Sequence, residues 1–502
     1  MSDGNTLSDS FDQLCARAGT RVAIREGDHD VTFRDLLRWS ERISRALEAC
    51  VQEPGQRIAV LLPNSAAFVA SFFGIARLGA VVAPLNMRYR SQELAYYLSD
   101  LQAVALVTEA GFVELLATVV PSLKSVPALL EVSRGNDARL IRRGAGGGQP
   151  VRTPESAPLL QLYTSGSIGI PKRVVRTHAA LRAELEGLRK TFDTSERDRF
   201  LGLASFAHVN GLVRTMMASM YVGAALYPVA EFRRRETLDL MTRERVTFFG
   251  GVPPMFPILS QTPLRGDVDL SALRVIFSSS APLMPADNRR FHARYGAFVR
   301  QLYGSTETGT ISFNRHPRPG SCLGSVGTPI DSVFVEVVDE RGNPLPLGQE
   351  GELVIASPFA ASGYLGNLPA TQESFRNGAY FSGDLGVKDA SGYLTITGRK
   401  KLMINRGGDK VNPYEVEAVI KEHPKVVDVA VFGAPGRHGD DIVCAVIMAS
   451  ERCTNDEILL HCRDRIADFK IPTCIEFRDS LPKSASGKIL RAKLQPDDGL
   501  AG

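Results

Sequence analysis

A chain of 502 residues is longer than one hydrophobic core can serve, since single cores stop growing at about 250–300 residues, so two or more domains are expected. With 44% hydrophobic and 23% charged residues, the composition is that of an ordinary globular protein and excludes a disordered or membrane-embedded chain. The formal net charge is only +4 and the basic runs are short, such as the one at residues 233–235, so no nucleic-acid surface is indicated.

The first residues, MSDGNTLSDSFDQLCARAG, lack the apolar core of a signal peptide. The cysteines Cys15, Cys50, Cys322, Cys444, Cys453, Cys462 and Cys474 are odd in number and never spaced C-x-x-C, which predicts reduced thiols in a cytoplasmic protein. RIAVLLP (57–63) reads as a buried strand. The segment NSAAFVASFFGIARLG reads as a helix that Asn64 or Ser65 could cap, and AVVAPLN as the next strand, together a βαβ unit. That helix meets Arg77 after about a dozen residues, whereas a membrane span needs roughly 20.

The pattern returns at LQAVALVT, ALYPV, VTFFGGVPP and LRVIFSSSAPL, and such alternation argues for mainly parallel sheets covered by helices. Residues 142–158 are rich in Gly and Pro and read as a linker. From about residue 322 short alternating strands with Gly/Asn/Pro turns suggest a barrel-like β subdomain, and after GRKKLM a compact α+β pattern of about 100 residues follows. The expected fold is therefore α/β: a large N-terminal domain of βαβ-type sheets covered by helices plus the barrel-like subdomain, and a small mobile α+β C-terminal domain. The boundaries are placed at 1–398, a hinge at 399–402, and 403–502.

Residues 160–178, LQLYTSGSIGIPKRVVRTH, concentrate hydroxyls of Tyr163, Thr164, Ser165 and Ser167 with Gly166, Gly169 and Lys172. Backbone N–H groups freed by glycine, small hydroxyls and one ammonium suit an anion. The G-x-x-x-x-G-K-[ST] spacing is absent, so a conventional P-loop is not indicated.

Four further stretches follow in order: QLYGSTETG (301–309), YFSGDLG (380–386), GRKKLMINRGGDKVNPYEVE (398–417) and LPKSASGKILRAKL (481–494). With the loop they resemble the signature segments of the adenylate-forming superfamily, which includes acyl-CoA synthetases, luciferase and peptide-synthetase adenylation domains. The resemblance runs from about residue 20 to residue 494 and is closest to the acyl-CoA synthetases. It implies ATP-dependent activation of a carboxylic acid to acyl-AMP, with release of pyrophosphate and then transfer to the thiol of coenzyme A.

The resemblance also implies residue roles. Thr164, Ser165, Gly166, Ser167, Gly169 and Lys172 would hold the β- and γ-phosphates, Thr306 the α-phosphate, and Glu307 Mg²⁺. Tyr303 would stack on adenine beside Gly304, Gln301 would offer its amide to the adenine edge, and Ser280, Ala281 and Pro282 would complete the nucleotide site. Asp384 would accept the ribose hydroxyls, Arg399 would contact ribose or phosphate, Lys401 would mark the hinge, and Lys488 would be the adenylation lysine. A hinge is needed because Lys488 must leave before a thiol can reach the acyl-adenylate.

In SFAHVNGL (205–212), His208 would guard the acyl site, with Asn210, Gly211, Gly250, Gly251, Val252, Ser279 and Ser280 as its walls. No Asp lies near to pair with a substrate ammonium, which favours a non-amino acid. Met216, Met217 and Met220 suit either an apolar pocket or the core, and the pocket is expected to be apolar. Two departures stand out: Ile168 and Arg173 replace the usual Thr and Gly of the phosphate loop, and Ser279 and Ser280 replace two glycines, narrowing or polarising the acyl entrance. An acyl carrier protein is the alternative acceptor, and a non-catalytic nucleotide-binding relative the alternative class.

Overall fold

The computed structural model describes residues 6–123, 125–133, 137–142, 153–164, 171–263, 266–406, 409–436, 441–463, 465–483 and 489–494. Of the residues singled out above, Ser165, Gly166, Ser167, Ile168, Gly169 and Lys488 lie outside these ranges.

The continuous apolar runs form the predicted parallel strands. Arg57–Leu61 pairs in parallel with Val81–Pro84 on one side and Ala105–Thr108 on the other. Among the described residues they are the centre of a seven-stranded sheet whose far edge is the antiparallel pair Pro158–Thr164 and Lys172–Thr177. A nine-stranded sheet contains Arg199–Gly202, Phe248–Gly251 and Val275–Ser278 in parallel, then Arg300–Ser305 and the antiparallel Gly309–Phe313. Phe334–Val338, Glu350–Ala356, Ala379–Lys388 and Leu394–Arg399 run antiparallel in a third, half-barrel sheet, as the turn-rich texture predicts.

The chain ends in a separate C-terminal domain. Its antiparallel strands Val426–Pro435 and Asp441–Ala449 pack against the helix Pro413–Lys421 around a core that includes Val416, Ile420, Val431, Val443 and Ile447. Among the described residues no helix is long and apolar enough to cross a membrane. All seven cysteines are free thiols.

Two local devices join the sheets. Ser65 caps the helix Ala66–Arg77, its Oγ accepting from Phe68 N at 3.2 Å. Asn64 does something else: its Nδ2 donates to Gly202 O and Ala204 O, both at 2.9 Å, and its Oδ1 accepts from Phe206 N at 2.8 Å. The amide thus ties the end of a strand in one sheet to the loop leaving a strand of the other. The second device is charged. Arg176, on Lys172–Thr177, donates from Nη2 to Glu184 Oε2 at 2.9 Å, with side chains 1% and 0% exposed. Glu184, on the helix His178–Phe192, accepts from both N and Oγ1 of Thr310 at 2.8 Å through its other oxygen.

His178 begins that same helix. Its Nδ1 accepts from Leu7 N at 3.2 Å, and its Nε2 is buried with no partner among the described residues. Burial lowers the imidazole from 6.5 to about 4. The unfolded chain therefore takes up this proton first as the pH falls. Stability from the group is complete above its ordinary pKa and is lost as the pH drops toward 4, by about 1.4 kcal/mol per pH unit. Urea midpoints measured between pH 7 and pH 4 should fall accordingly, and fall less steeply in His178→Gln, whose side chain does not titrate.

Candidate active site

A cleft of about 1060 Å³ opens where the sheets meet, and its lining joins the large domain to the C-terminal one. Of the predicted residues, Thr164, Lys172, His208, Asn210, Ser280, Gly304, Thr306, Glu307, Asp384, Arg399 and Lys401 line it, whereas Tyr303 does not. Arg300–Ser305 carries Gly304 and Ser305 to the cleft and ends in a turn closed by Ser305 Oγ, which accepts from Thr308 N at 3.1 Å. That turn presents Thr306 and Glu307. Glu307 is 8% exposed, and its Oε1 accepts from the Tyr364 hydroxyl at 2.9 Å. The same Tyr364 ring lies 4.3 Å from Lys172 Nζ, so the lysine and the carboxylate share one aromatic support.

Asp384 is buried, and both its oxygens are engaged. Oδ1 accepts from Arg399 Nε at 2.5 Å and Oδ2 from the Tyr303 hydroxyl at 2.7 Å. The Asp384 charge holds the Arg399 guanidinium above its ordinary value, and burial, reinforced by Asp384, raises the Tyr303 phenol. Next along the chain, Lys400 pairs with Glu352 at 3.1 Å and Lys401 with Glu373 at 3.0 Å.

On the acyl side, Asn86 Nδ2 donates to His208 Nε2 at 3.1 Å, which assigns the ring proton to Nδ1. Desolvation lowers His208 from 6.5 to about 4, so the imidazole is neutral at physiological pH. Asn210 donates from Nδ2 to Gly251 O at 3.1 Å, and its buried Oδ1 has no partner among the described residues.

Several expectations are corrected. Gln301 is 4% exposed and its amide is spent internally, accepting from Leu283 N at 2.9 Å and donating to Leu323 O at 2.6 Å, so it offers nothing to an adenine edge. The Tyr163 hydroxyl donates to Asp100 Oδ2 at 2.7 Å rather than serving an anion. Arg173 does not replace a phosphate contact: it donates to Leu365 O at 3.2 Å and Asp100 O at 3.3 Å, outside the cleft lining. Gly211, Gly250 and Gly251 do not line the cleft. A Cβ at these positions would meet Ala204 O at 2.2 Å, the Phe277 ring at 2.5 Å and the Phe256 ring at 2.9 Å, so they are glycine for close packing. Val252, Ala281 and Pro282 also lie outside the lining. Met216, Met217 and Met220 belong to the core.

Ser279 is fully buried outside the cleft lining, where its Oγ accepts a hydrogen bond from Arg214. Arg214 is a residue that sequence reasoning missed, although it stands two residues before Met216. It is 3% exposed, lies in the π-helical segment Leu212–Met217, and lines the cleft, so the expected apolar pocket contains a guanidinium. Its Nε donates to Thr310 Oγ1 at 2.9 Å, Nη1 to Ser279 Oγ at 2.8 Å, and Nη2 to Gly309 O at 3.4 Å. Desolvation lowers its pKa to about 10, which leaves it charged at neutral pH. Tyr364 and Asn86 were also missed; nothing in their local sequence distinguishes them from ordinary loop residues.

Two family models match the chain in succession. The AMP-binding enzyme model matches residues 11–365, and the AMP-binding enzyme C-terminal domain model matches residues 415–488. The chain belongs to the AMP-binding enzyme family. It is 32% identical to a feruloyl-CoA synthase of Amycolatopsis sp, over 94% of this chain and 95% of the relative. To an oxalate–CoA ligase of Arabidopsis thaliana it is 31% identical, over 97% and 98%. The structure of ATP-bound MatB from Rhodopseudomonas palustris superposes with a TM-score of 0.88 at 26% identity, covering 98% of both chains. The protein is an AMP-forming acid–CoA ligase that works in two steps through an acyl-adenylate.

Gly304 offers a test of this geometry. A Cβ there would fall 2.2 Å from Arg214 Nη2 and 2.4 Å from Gly309 O. Gly304→Ala should lower stability by about 1–3 kcal/mol, as overpacking does, read from urea denaturation.

Proposed function

We propose that the ligase holds ATP between the Lys172 loop and the Thr306–Glu307 turn and adenylates a non-amino-acid carboxylic acid seated on the His208 side of the cleft. The observation that carries this is the convergence of Lys172, Thr306, Glu307, Asp384 and Arg399, distant in sequence, on one cleft. Thr164, Lys172 and the loop at 165–169 take the β- and γ-phosphates, Thr306 takes the α-phosphate, and adenine lies beside Gly304 and Ser280. Asp384, oriented by Arg399 and Tyr303, accepts from the ribose hydroxyls.

Glu307 fits Mg²⁺. One of its oxygens is held by Tyr364, and no set of three His, Cys, Asp or Glu that could hold a metal occurs among the described residues. A single carboxylate matches an ion that takes one or two carboxylates and completes its shell with substrate phosphates and water. When bound, the ion would neutralise charge on the phosphates.

In the first step a carboxylate oxygen attacks the α-phosphorus and pyrophosphate leaves, which turns a poor acyl donor into a mixed anhydride. Two anions must be brought in line, a matter of positioning and electrostatics. Lys488 supplies an ammonium to the α-phosphate and the carboxylate at this stage. The small domain then turns about residues 399–402, with Lys401 at the hinge separating domains 1–398 and 403–502, and withdraws Lys488. The sulfur of CoA attacks the acyl carbon, its proton goes to solvent and AMP leaves. His208, uncharged and held by Asn86, closes the acyl site without placing a cation beside the entering thiol. Both curated relatives bear CoA in their names, which supports CoA over a carrier protein as acceptor. ATP and CoA as substrates, with seven free thiols, fit a cytoplasmic location.

The test is pyrophosphate release across a panel of carboxylic acids with Mg-ATP, with and without CoA. Acid-dependent release with formation of acyl-CoA is expected. Lys488→Ala should slow it by about 100-fold or more, the scale of losing one preorganised charge at a developing transition state, while thiolysis of supplied acyl-adenylate is spared. Equal loss of both half-reactions would contradict the assignment of Lys488.

A further inference from the structure

The acyl side of the cleft has an unbalanced buried charge. Among the described residues, Glu184 is the anion that bears on Arg214, linked to it through Thr310 Oγ1, and Arg176 is a second cation bound to the same carboxylate. All three side chains are nearly or fully buried. Glu184 already accepts from Arg176 at one oxygen and from Thr310 twice at the other. Two guanidinium groups thus share one carboxylate. Full desolvation of a charge costs several kcal/mol unless a counter-charge meets it, so the surplus needs an anion.

Geometry says where that anion comes from. Of the five N–H groups of Arg214, three are directed to Thr310, Ser279 and Gly309, which fix the plane of the guanidinium and leave one hydrogen on each Nη. Arg176 does not line the cleft and Arg214 does. Arg214 also lies four residues after Asn210 and six after His208, both lining residues of the acyl side. Gly304 is what lets the guanidinium reach this place, because a side chain there would displace it. The cations available for the triphosphate, Lys172, Arg399, Lys400 and Lys401, are partly or well exposed, whereas Arg214 is 3% exposed.

We propose that Arg214 is a specificity-determining residue that binds a second anionic group, carboxylate or sulfonate, on the acid whose other carboxylate is adenylated. This rests on the ligase reading above and deepens it: the substrate class is a dianionic acid. A planar guanidinium with one free hydrogen on each Nη has the donors to bind such a group. Acids of the same size that lack the second anionic group leave the buried guanidinium without a counter-charge, and are disfavoured for that reason.

The experiment compares matched pairs in the wild-type enzyme with Mg-ATP and CoA. Aliphatic and aromatic dicarboxylic acids are each set against their monomethyl ester, and sulfonated acids against their methylsulfonyl analogues. For at least one pair the dianion should be favoured in kcat/KM by about 100-fold or more, the discrimination a buried polar group left unpaired enforces. Arg214→Met should abolish that preference, raising KM for the dianion while leaving the KM for ATP unchanged, and Arg214→Lys should restore part of it. Turnover of monoanionic acids with no preference for any dianion would overturn the inference and leave the ligase reading standing. A loss in Arg214→Met that is equal for both members of a pair would also overturn it, as a merely structural role predicts. The wild-type comparison needs no variant to fold. Failure of every acid to release pyrophosphate would refute the ligase reading itself, and the inference with it.

Discussion

Glu184 is a carboxylate with no exposed surface, and the geometry of the site depends on it. It grips Arg176 at the edge of one sheet and Thr310 in the next, and Thr310 in turn takes a hydrogen bond from Arg214 on the cleft wall. A buried ion pair of this kind contributes little net stability compared with an apolar replacement, but losing one member leaves an uncompensated charge that costs about 3–5 kcal/mol. Its value is therefore positional. The packing around it is equally specific: Gly309, at φ +73°, is required because a Cβ would fall 2.6 Å from a Glu184 oxygen.

The nucleotide side follows a similar logic with solvent closer at hand. Each anionic side chain there is held by a neighbour that leaves part of it available: Tyr364 on Glu307, and Arg399 with Tyr303 on Asp384. Such partners fix the carboxylates in place before any ligand arrives, and preorganised groups need not reorganise during reaction. The pair of Arg399 with Asp384 also stands immediately before Lys400 and Lys401, whose contacts with Glu352 and Glu373 lie in the large domain. A turn at that point would have to exchange these ion pairs, which are partly exposed and so individually weak. Weak, replaceable contacts suit a hinge.

The two sides of the cleft differ in how tightly charge is confined. Cations on the nucleotide side reach solvent and tolerate a ligand that comes and goes with its own counterions. Arg214 has no such freedom, and its neighbours Ser279 and Thr310 are small hydroxyls that hold the guanidinium without neutralising it. Polar but uncharged anchors leave the positive charge to be read by whatever enters the pocket.

Most of the architecture was legible from residue order. Apolar runs of strand length alternating with a helix such as Ala66–Arg77 dictate parallel strands covered on both faces, and Gly/Asn/Pro turns between alternating strands dictate the antiparallel half-barrel. The motif residues Lys172, Thr306, Glu307, Asp384 and Arg399 were legible too, because the chemistry of adenylation needs those side chains near short flexible turns. What sequence could not show was the direction a side chain takes once packed. Gln301, Ser279 and Arg173 carry the right chemistry for a site and spend it inside the protein, since buried amides, hydroxyls and guanidinium groups must first satisfy the nearest backbone and side-chain partners. Arg214 is the converse: a charge amid an apolar stretch whose purpose depends on Glu184, Thr310 and Gly304, which lie 30 or more residues away in sequence and meet it only in the folded chain. Local sequence therefore determined the elements and the reaction class, while the tertiary structure alone decided the charge of the acyl pocket, because that charge is a balance among groups brought together by the packing of two sheets.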